Sequence, residues 1–246
     1  MEKIKLFSLI IFIVLRIICP LKGQMISIGY GVTYMDDKER VKLHPDVRGK
    51  GIRVSDDYFH QFSYSHYIKN NFIISASFSN YPVSTVFKFK IDNIEGYAYG
   101  WPGGANITRY DLGIGWNPFK KVKFILFPSL NLGLQKSKII YDDIIGTIPL
   151  DLLPAGFEQL EPVEAEAFGN TQIVPILGLK LGYAFWNRLE LFLDIRQVWG
   201  YKTVQEIKLE YAFNGIKQPQ AINYSDGTGR FWALGLGYRI VKPKVK

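Results

Sequence analysis

The 246-residue chain has a single cysteine, Cys19, and it lies in the amino-terminal leader. Without residues 1–23, neither a disulfide staple nor a thiolate metal site can form. Histidine is scarce too: His44, His60 and His66. His60 is followed two residues on by Phe62 and His66 by Ile68, so the His-x-Ser pair of a lipid-deacylating site is missing. Ser65 and His66 are adjacent, and neighbours along a strand point to opposite faces, which argues against a dyad. There is no glycine-rich phosphate loop, zinc motif or nucleophile elbow. Asp142-Asp143 lacks the alternating spacing of a calcium loop. We therefore assign no catalytic, cofactor-binding or metal-ligating residue, expect no cofactor, and read the chain as a non-enzyme. No basic stripe is interleaved with aromatics, so nucleic acid is not an expected partner. Beyond the leader no run of about 18 apolar residues occurs, which excludes a downstream transmembrane helix.

The leader itself is informative. Met1–Lys5 is a short basic region, Leu6–Leu15 is an apolar run, and Arg16 interrupts it. Such a run is too short to span a bilayer but suits a signal-peptide core, with cleavage near Gly23. Lipidation at Cys19 and an uncleaved anchor helix are the rival readings. The net charge is +8, of which Lys242, Lys244 and Lys246 hold three in the tail. We divide the chain into a signal peptide at 1–23, a barrel domain at 24–241 and a basic periplasmic tail at 242–246.

Aromatics make up 15% of the residues, a bias toward β-structure and membrane interfaces. The alternation is regular. Ile26, Ile28, Tyr30, Val32 and Tyr34 oppose Ser27, Gly29, Gly31 and Thr33 over 25–35. A second strand at 58–68 sets Phe62, Tyr64, His66 and Ile68 against Gln61, Ser63 and Ser65. A third, from Phe72, sets Ile74, Ala76 and Phe78 against Ser75, Ser77 and Ser79, is interrupted at Pro82, and resumes over 83–91 as a projection above a bilayer. The fourth, 106–116, sets Tyr110, Leu112, Ile114 and Trp116 against Arg109, Asp111, Gly113 and Gly115. The fifth covers 122–136 and the sixth 174–186. The seventh, 189–201, continues through 203–213, and the eighth is 230–240. Throughout, the large apolar set faces one way and the small or polar set the other, as lipid outside and a narrow lumen inside require. Mean hydropathy is +0.02, ordinary because only alternate residues meet lipid.

The connections alternate between long (36–57, 82–105, 137–173, 214–229) and short (69–71, 117–121, 187–188). This predicts an all-β, antiparallel up-and-down transmembrane β-barrel of eight strands with long external loops. Phe72, Trp116, Phe119, Phe124, Phe185, Trp186 and Tyr238 beside the short turns form an interfacial girdle. Ten strands result if 83–91 and 203–213 are separate membrane strands. A soluble lipocalin-like barrel with its large residues inward is the remaining alternative.

With its strand pattern, its loop asymmetry and its Leu234-Gly235-Leu236-Gly237-Tyr238-Arg239-Ile240 end, the chain resembles the small eight-stranded outer-membrane proteins of the OmpA/OmpX type over roughly residues 25–241. Its Lys/Ile/Asn/Tyr-rich usage is similar to the Bacteroidetes-type outer-membrane β-barrel family, which includes PorT-like secretion components. The resemblance implies a bacterial outer-membrane location, contact with outer-membrane lipid and lipopolysaccharide, and insertion by the barrel assembly machinery. Here Val241–Lys246 extends past Tyr238, the last aromatic, where such proteins usually end.

Two candidate sites follow. Arg109, Asp111, Lys180, Glu190, Asp194, Arg196 and Arg239 fall on the inward face, and buried charges must pair. They predict an ion-pair network that plugs the lumen, with a gated pore or proton path as the sharper alternative. The 137–173 connection carries Asp142, Asp143, Asp151, Glu158, Glu161, Glu164 and Glu166 with no Lys or Arg from 139 to 173, together with Phe157 and other apolar residues. It is a cap over the barrel mouth or a docking loop for a protein partner. The expected function is a non-enzymatic outer-membrane barrel that presents its long loops for adhesion or partner binding. A component of a secretion or envelope complex, a lipid-modifying enzyme and a small gated pore are the alternatives.

Overall fold

A computed structural model describes residues 24–49, 57–68, 71–91, 94–119, 123–140, 144–146, 148, 154–185 and 188–240. The leader, the tail beyond Ile240, Trp186, Asp142, Asp143 and Asp151 lie outside these residues. Eight long strands close into a ring. In chain order they are β1 (Gln24–Val41), β2 (Asp57–Tyr67), β3 (Phe72–Ile91), β4 (Ile94–Trp116) and β5 (Phe124–Ile139). Three short strands follow, β6 (Ile144–Gly146), β7 (Phe157–Gln159) and β8 (Val163–Ala167). Then come β9 (Thr171–Phe185), β10 (Leu189–Val198), β11 (Gln205–Leu209), β12 (Tyr211–Phe213), β13 (Ile216–Lys217) and β14 (Ala221–Arg239).

The ring order is β1-β2-β3-β4-β5-β9-β10-β14, and β14 pairs back to β1. All these pairs are antiparallel, and closure runs in one register from Met25↔Arg239 to Met35↔Gly229. The β1–β14 pairing joins what would otherwise be the two open edges of the sheet, as a strand wall in hydrocarbon requires. The alternation places each side chain as the sequence predicts. Ile26, Ile28, Leu112, Leu130, Leu132, Leu177, Leu234 and Leu236 are exposed on the outside, while Ser27, Gln61, Arg109, Asp111, Glu190 and Asp194 are buried inside. The outward apolar stretch of β5, from Phe124 to Leu134, has the ~9–11 residues that a tilted strand needs to cross hydrocarbon. Phe72, Trp116, Phe119, Phe124, Tyr183 and Tyr238 ring its short-turn end. Tyr30 stacked on Tyr58 (5.5 Å), Phe78 against Tyr110 and Trp232 mark the other. An apolar trough of about 840 Å³ between Tyr64 and Trp199 lies on this lipid-facing wall, outside the lumen.

The turns at one end are tight for local reasons. Asn71 takes the left-handed conformation (φ 69°) between β2 and β3, where Asn is tolerated. Asn117 accepts a 3.0 Å bond from the Phe119 N–H through Oδ1, an Asx turn.

At the other end the connections expected as loops are largely strand. β1 runs to Val41, residues 82–91 and 94–105 continue the β3–β4 pairing, and β14 starts at Ala221 rather than near Arg230. Pro82 does not interrupt β3: it pairs with Asn106, and the irregularity falls one residue later, between Val83 and Ser84. The ten-strand alternative fails because 83–91 extends β3 and β11 never enters the ring. β11 pairs with β14, then with β8 and through it β6, above the point where β10 ends at Val198. β12, β13 and β7 form a separate small sheet. These elements make a β-cap with its own core of Leu43, Val47, Phe87, Phe89, Ile148 and Leu209, among others. Above the bilayer, strands must bury one face against each other, because water rather than lipid surrounds them.

The closure seam sets a strict limit on volume. A Cβ at Gly31 would lie 1.9 Å from the Trp232 carbonyl oxygen and 2.7 Å from the Ala233 Cα, both backbone. One at Gly29 would meet the Ala233 Cβ at an ordinary 3.4 Å. Gly31→Ala should therefore destabilise the folded barrel by about 1–3 kcal/mol as an overpacked site. Gly29→Ala should stay within about 0.5 kcal/mol of the parent. Urea unfolding in detergent micelles measures both, and equal effects at the two positions would contradict the seam geometry.

Candidate functional site

The inward parity of β4, β9, β10 and β14 delivers the charged residues to the lumen. Arg196 on β10 is the hub. Its Nη2 lies 2.8 Å from Asp194 Oδ2, its Nε donates to the same oxygen at 3.1 Å, and its Nη1 reaches Asp111 Oδ2 on β4 at 2.8 Å. Nη1 also donates to Ser77 Oγ on β3, at 2.8 Å. β3 and β10 are four places apart either way around the ring of eight, so this contact crosses the lumen.

Arg109 continues the chain. Its Nε bonds Asp111 Oδ1 at 2.9 Å, and its guanidinium lies 4.4 Å from the Phe231 ring centre while Nη1 donates to the Tyr81 hydroxyl at 3.1 Å. A second group sits nearer the short-turn end. Lys180 Nζ is 3.4 Å and Arg239 Nη2 3.5 Å from the two oxygens of Glu190, and Lys180 lies over the Phe192 ring at 3.8 Å. Lys180 is also the cross-strand neighbour of Asp194, which sets the two groups side by side. All seven inward charges thus lie in contact with an opposite charge.

Apolar layers bracket these charges. Ile73, Ile125 and Phe127, with Tyr67 against them, fill the short-turn end. Met35, Phe59, Tyr81, Val83, Ile107 and Phe231 belong to the cluster at the cap end. Sequence reasoning missed the neutral partners of the network. Gln61 donates to Asp194 at 2.8 Å, Ser77 to Asp111 at 3.0 Å, and the Tyr81 hydroxyl to Gln135 at 3.3 Å. The signal was present, since all four have inward parity. Their role emerges only once strands far apart in sequence face each other across the lumen.

The acidic connection divides in two. Phe157 stacks on Tyr211 (5.2 Å), and Ile148 is fully buried, so the apolar residues expected to need a partner's cover are covered in part by the cap itself. Burial pushes the Tyr211 phenol pKa up, opposed by the bond it accepts from the His44 N–H at 2.7 Å. Glu158, Glu161, Glu164 and Glu166 are exposed on the outer face of the cap. Glu166 pairs with Lys208 at 3.3 Å.

The three histidines stay apart. His60 packs its ring on Tyr30 (5.1 Å) on the outer wall, His66 is buried near the end of β2, and His44 rests on Phe213 in the cap. No group of three or more His, Cys, Asp or Glu with metal-holding geometry occurs among the described residues.

No family model and no curated protein sequence matches the chain. Solved structures of similar shape include the outer membrane protein OprG from Pseudomonas aeruginosa, at 11% identity over 88% of this chain and 95% of that one, TM-score 0.46. Neisserial surface protein A gives 8% identity, 89% and 97% coverage and a TM-score of 0.45. Ail, the attachment invasion locus protein of Yersinia pestis, gives 14% identity, 88% and 98% coverage and a TM-score of 0.41.

The network makes a sharp prediction. Arg196→Met strands Asp194 and Asp111 without their shared counter-ion and should cost about 3–5 kcal/mol, the usual penalty for breaking a buried pair. Adding Asp194→Asn should recover part of the loss, a coupling of about 0.5–3 kcal/mol in a double-mutant cycle read by urea unfolding. Strict additivity would show that the two groups do not share one interaction.

Proposed function

We propose that this protein is a non-enzymatic integral barrel of the bacterial outer membrane. In this reading its lumen is closed by side chains and its β-cap faces the exterior for adhesion or partner binding. The observation that carries it is the distribution of polarity. The outer wall is an apolar belt between two aromatic girdles, and the interior is a layer of paired charges between two apolar layers. Eight strands leave an interior that side chains fill, which argues against an open channel. The orientation is supported by the connection lengths: short turns belong on the periplasmic side and elaborated connections outside. A cap with its own core presents a fixed surface, and Glu158, Glu161 and Glu164 on its outer face suit a basic partner.

Purified protein in planar bilayers should give no stable large-conductance channels, whereas an open pore would produce long-lived steps. Amine-reactive labelling of intact cells should modify Lys217 on the cap; protection of that lysine until the cells are lysed would reverse the orientation. His60→Ala and His66→Ala should leave the lipid A profile of the cells unchanged, and an altered profile would restore the enzyme reading.

A further inference from the structure

β5 leaves the apolar belt with an abrupt change on its outward face. Leu130, Leu132 and Leu134 are exposed on that face, and the next two outward residues, Lys136 and Lys138, are exposed as well. At the level of Leu134 the neighbours on either side are Tyr110 on β4 and Ile173 on β9, both exposed. One outward position higher, Lys136 pairs with Thr108 on β4 and Thr171 on β9.

The chain leaving β10 brings a third cation to the same place. The Trp199 N–H donates to the Pro175 carbonyl of β9 at 3.2 Å. The N–H groups of Tyr201 and Lys202 both donate to Gln172 Oε1, at 2.9 and 3.0 Å. Gln172 is buried and its Nε2 donates to the Asp226 carbonyl at 3.0 Å, so this segment is pinned to the start of β9. Lys202 Nζ then donates to the Thr171 carbonyl at 2.8 Å, on the residue that pairs with Lys136. Three ammonium groups thus gather on two paired strands, directly above the lipid-facing stripe. Exposed Trp199 and Tyr201 stand beside them.

None of the three is neutralised by a carboxylate among the described residues. Lys136 and Lys138 have no side-chain hydrogen bond or ion pair there, and Lys202 keeps its remaining N–H groups available. Other cations of the cap, Lys38, Arg40, Lys208 and Lys217, each pair with a carboxylate. Nor is the cluster a general feature of the belt's edge. On β1, β2 and β3 the outward residues at that end are Tyr34, Tyr58, His60 and Asn80.

We propose that the Lys136–Lys138–Lys202 patch binds the phosphorylated sugar headgroup of an outer-leaflet glycolipid, whose acyl chains lie along Leu130, Leu132 and Leu134. The inference rests on the reading of the protein as an outer-membrane barrel with its cap outside. A lysine just beyond hydrocarbon extends its ammonium to headgroup level, where it meets lipid phosphates and forms charge-assisted hydrogen bonds with them. Lys136 and Lys138 are about 6.6 Å apart along the strand, and β9, which holds Lys202, is about 4.8 Å to the side. That spread exceeds one phosphate and suits a headgroup with two. The exposed Thr171 hydroxyl lies between them for a sugar hydroxyl. A soluble acidic partner could reach the lysines but not the leucines, which face hydrocarbon.

The test is native mass spectrometry of the protein as isolated from membranes, in detergent micelles, titrated with four probes: diphosphoryl lipid A, its dephosphorylated form, phosphatidylglycerol and inorganic phosphate. Diphosphoryl lipid A should bind. Each of the other three should bind at least about tenfold more weakly, the scale of one lost charge-assisted hydrogen bond. The Lys136→Gln/Lys138→Gln variant should lose lipid A affinity by the same factor. Arg230→Gln/Lys217→Gln removes as much charge from exposed positions on β14 and the cap, and should bind like the parent. Far-UV circular dichroism confirms that each variant is folded. Equal binding of the dephosphorylated form, of phosphatidylglycerol or of phosphate would overturn the proposal, as would equal losses in the two double variants. Cell labelling at Lys217 is read separately: a protected Lys217 with intact binding reverses the orientation of the cap, and an exposed Lys217 without binding removes only the lipid site.

Discussion

Everything in this molecule follows from the demand that backbone polar groups be paired where no water can reach them. In hydrocarbon an unpaired N–H or C=O costs several kcal/mol, so a sheet crossing a membrane must have no edge. The β1–β14 pairing meets that demand, and it fixes the rest. Closure at eight strands sets the bore, the bore sets which side chains fit, and the strict period of two assigns each residue to lipid or lumen. The small residues on the inner face are a consequence. Gly31 and Gly235 lie where strand backbones and Phe192 crowd the bore, and the Gly235 position would set a Cβ 2.4 Å from that ring.

The same constraint explains why so many charges are buried in a narrow space. The outer face must be apolar, so polar residues can only point inward, and once inside they are removed from water. Desolvation is then offset only by pairing and by neutral hydrogen-bond partners. Arg196 shows how this is arranged. A single fork of donors meets Asp194, Asp111 and Ser77 at once, which ties three strands together across the bore. The planar guanidinium suits this task; a lysine would be a single point of charge. Glu190 is different: fully buried, it has two cations at 3.4–3.5 Å but no hydrogen bond of good geometry, so its charge is balanced more than it is bonded.

How much of this was legible in the sequence depended on whether alternation alone decided it. The ring strands, their inward faces and the short turns could be read because lipid imposes a rule on every second residue. Arg109, Asp111, Lys180, Glu190, Asp194, Arg196 and Arg239 were found by parity in that way. Their contacts could not be found, because Arg196 and Ser77 are 119 positions apart and meet only after closure. Parts of the cap were read as loop for a related reason. Above the membrane no external rule acts, and segments such as Phe157–Gln159 and Val163–Ala167 become strands through partners supplied by distant parts of the chain. Glycine and proline in Gly100-Trp101-Pro102-Gly103-Gly104 signal a turn, yet the β3 edge holds Gly100, Trp101 and Pro102 in register with Val86, Thr85 and Ser84. Tertiary pairing overrides local propensity here.

The cap also shows what is gained when the closure rule is relaxed. Inside the membrane a strand cannot end early without exposing its neighbours' backbone to lipid. Above the membrane it can, because water or a folded-back segment satisfies the freed groups. Among the described residues β2 pairs with β1 up to Thr33 and with β3 up to Asn80, and the backbone of residues 47–49 bonds Lys88 and Lys90 on β3. The wall is bound to an unbroken ladder, and the cap, released from it, builds a core of its own from strands that pair outside the ring.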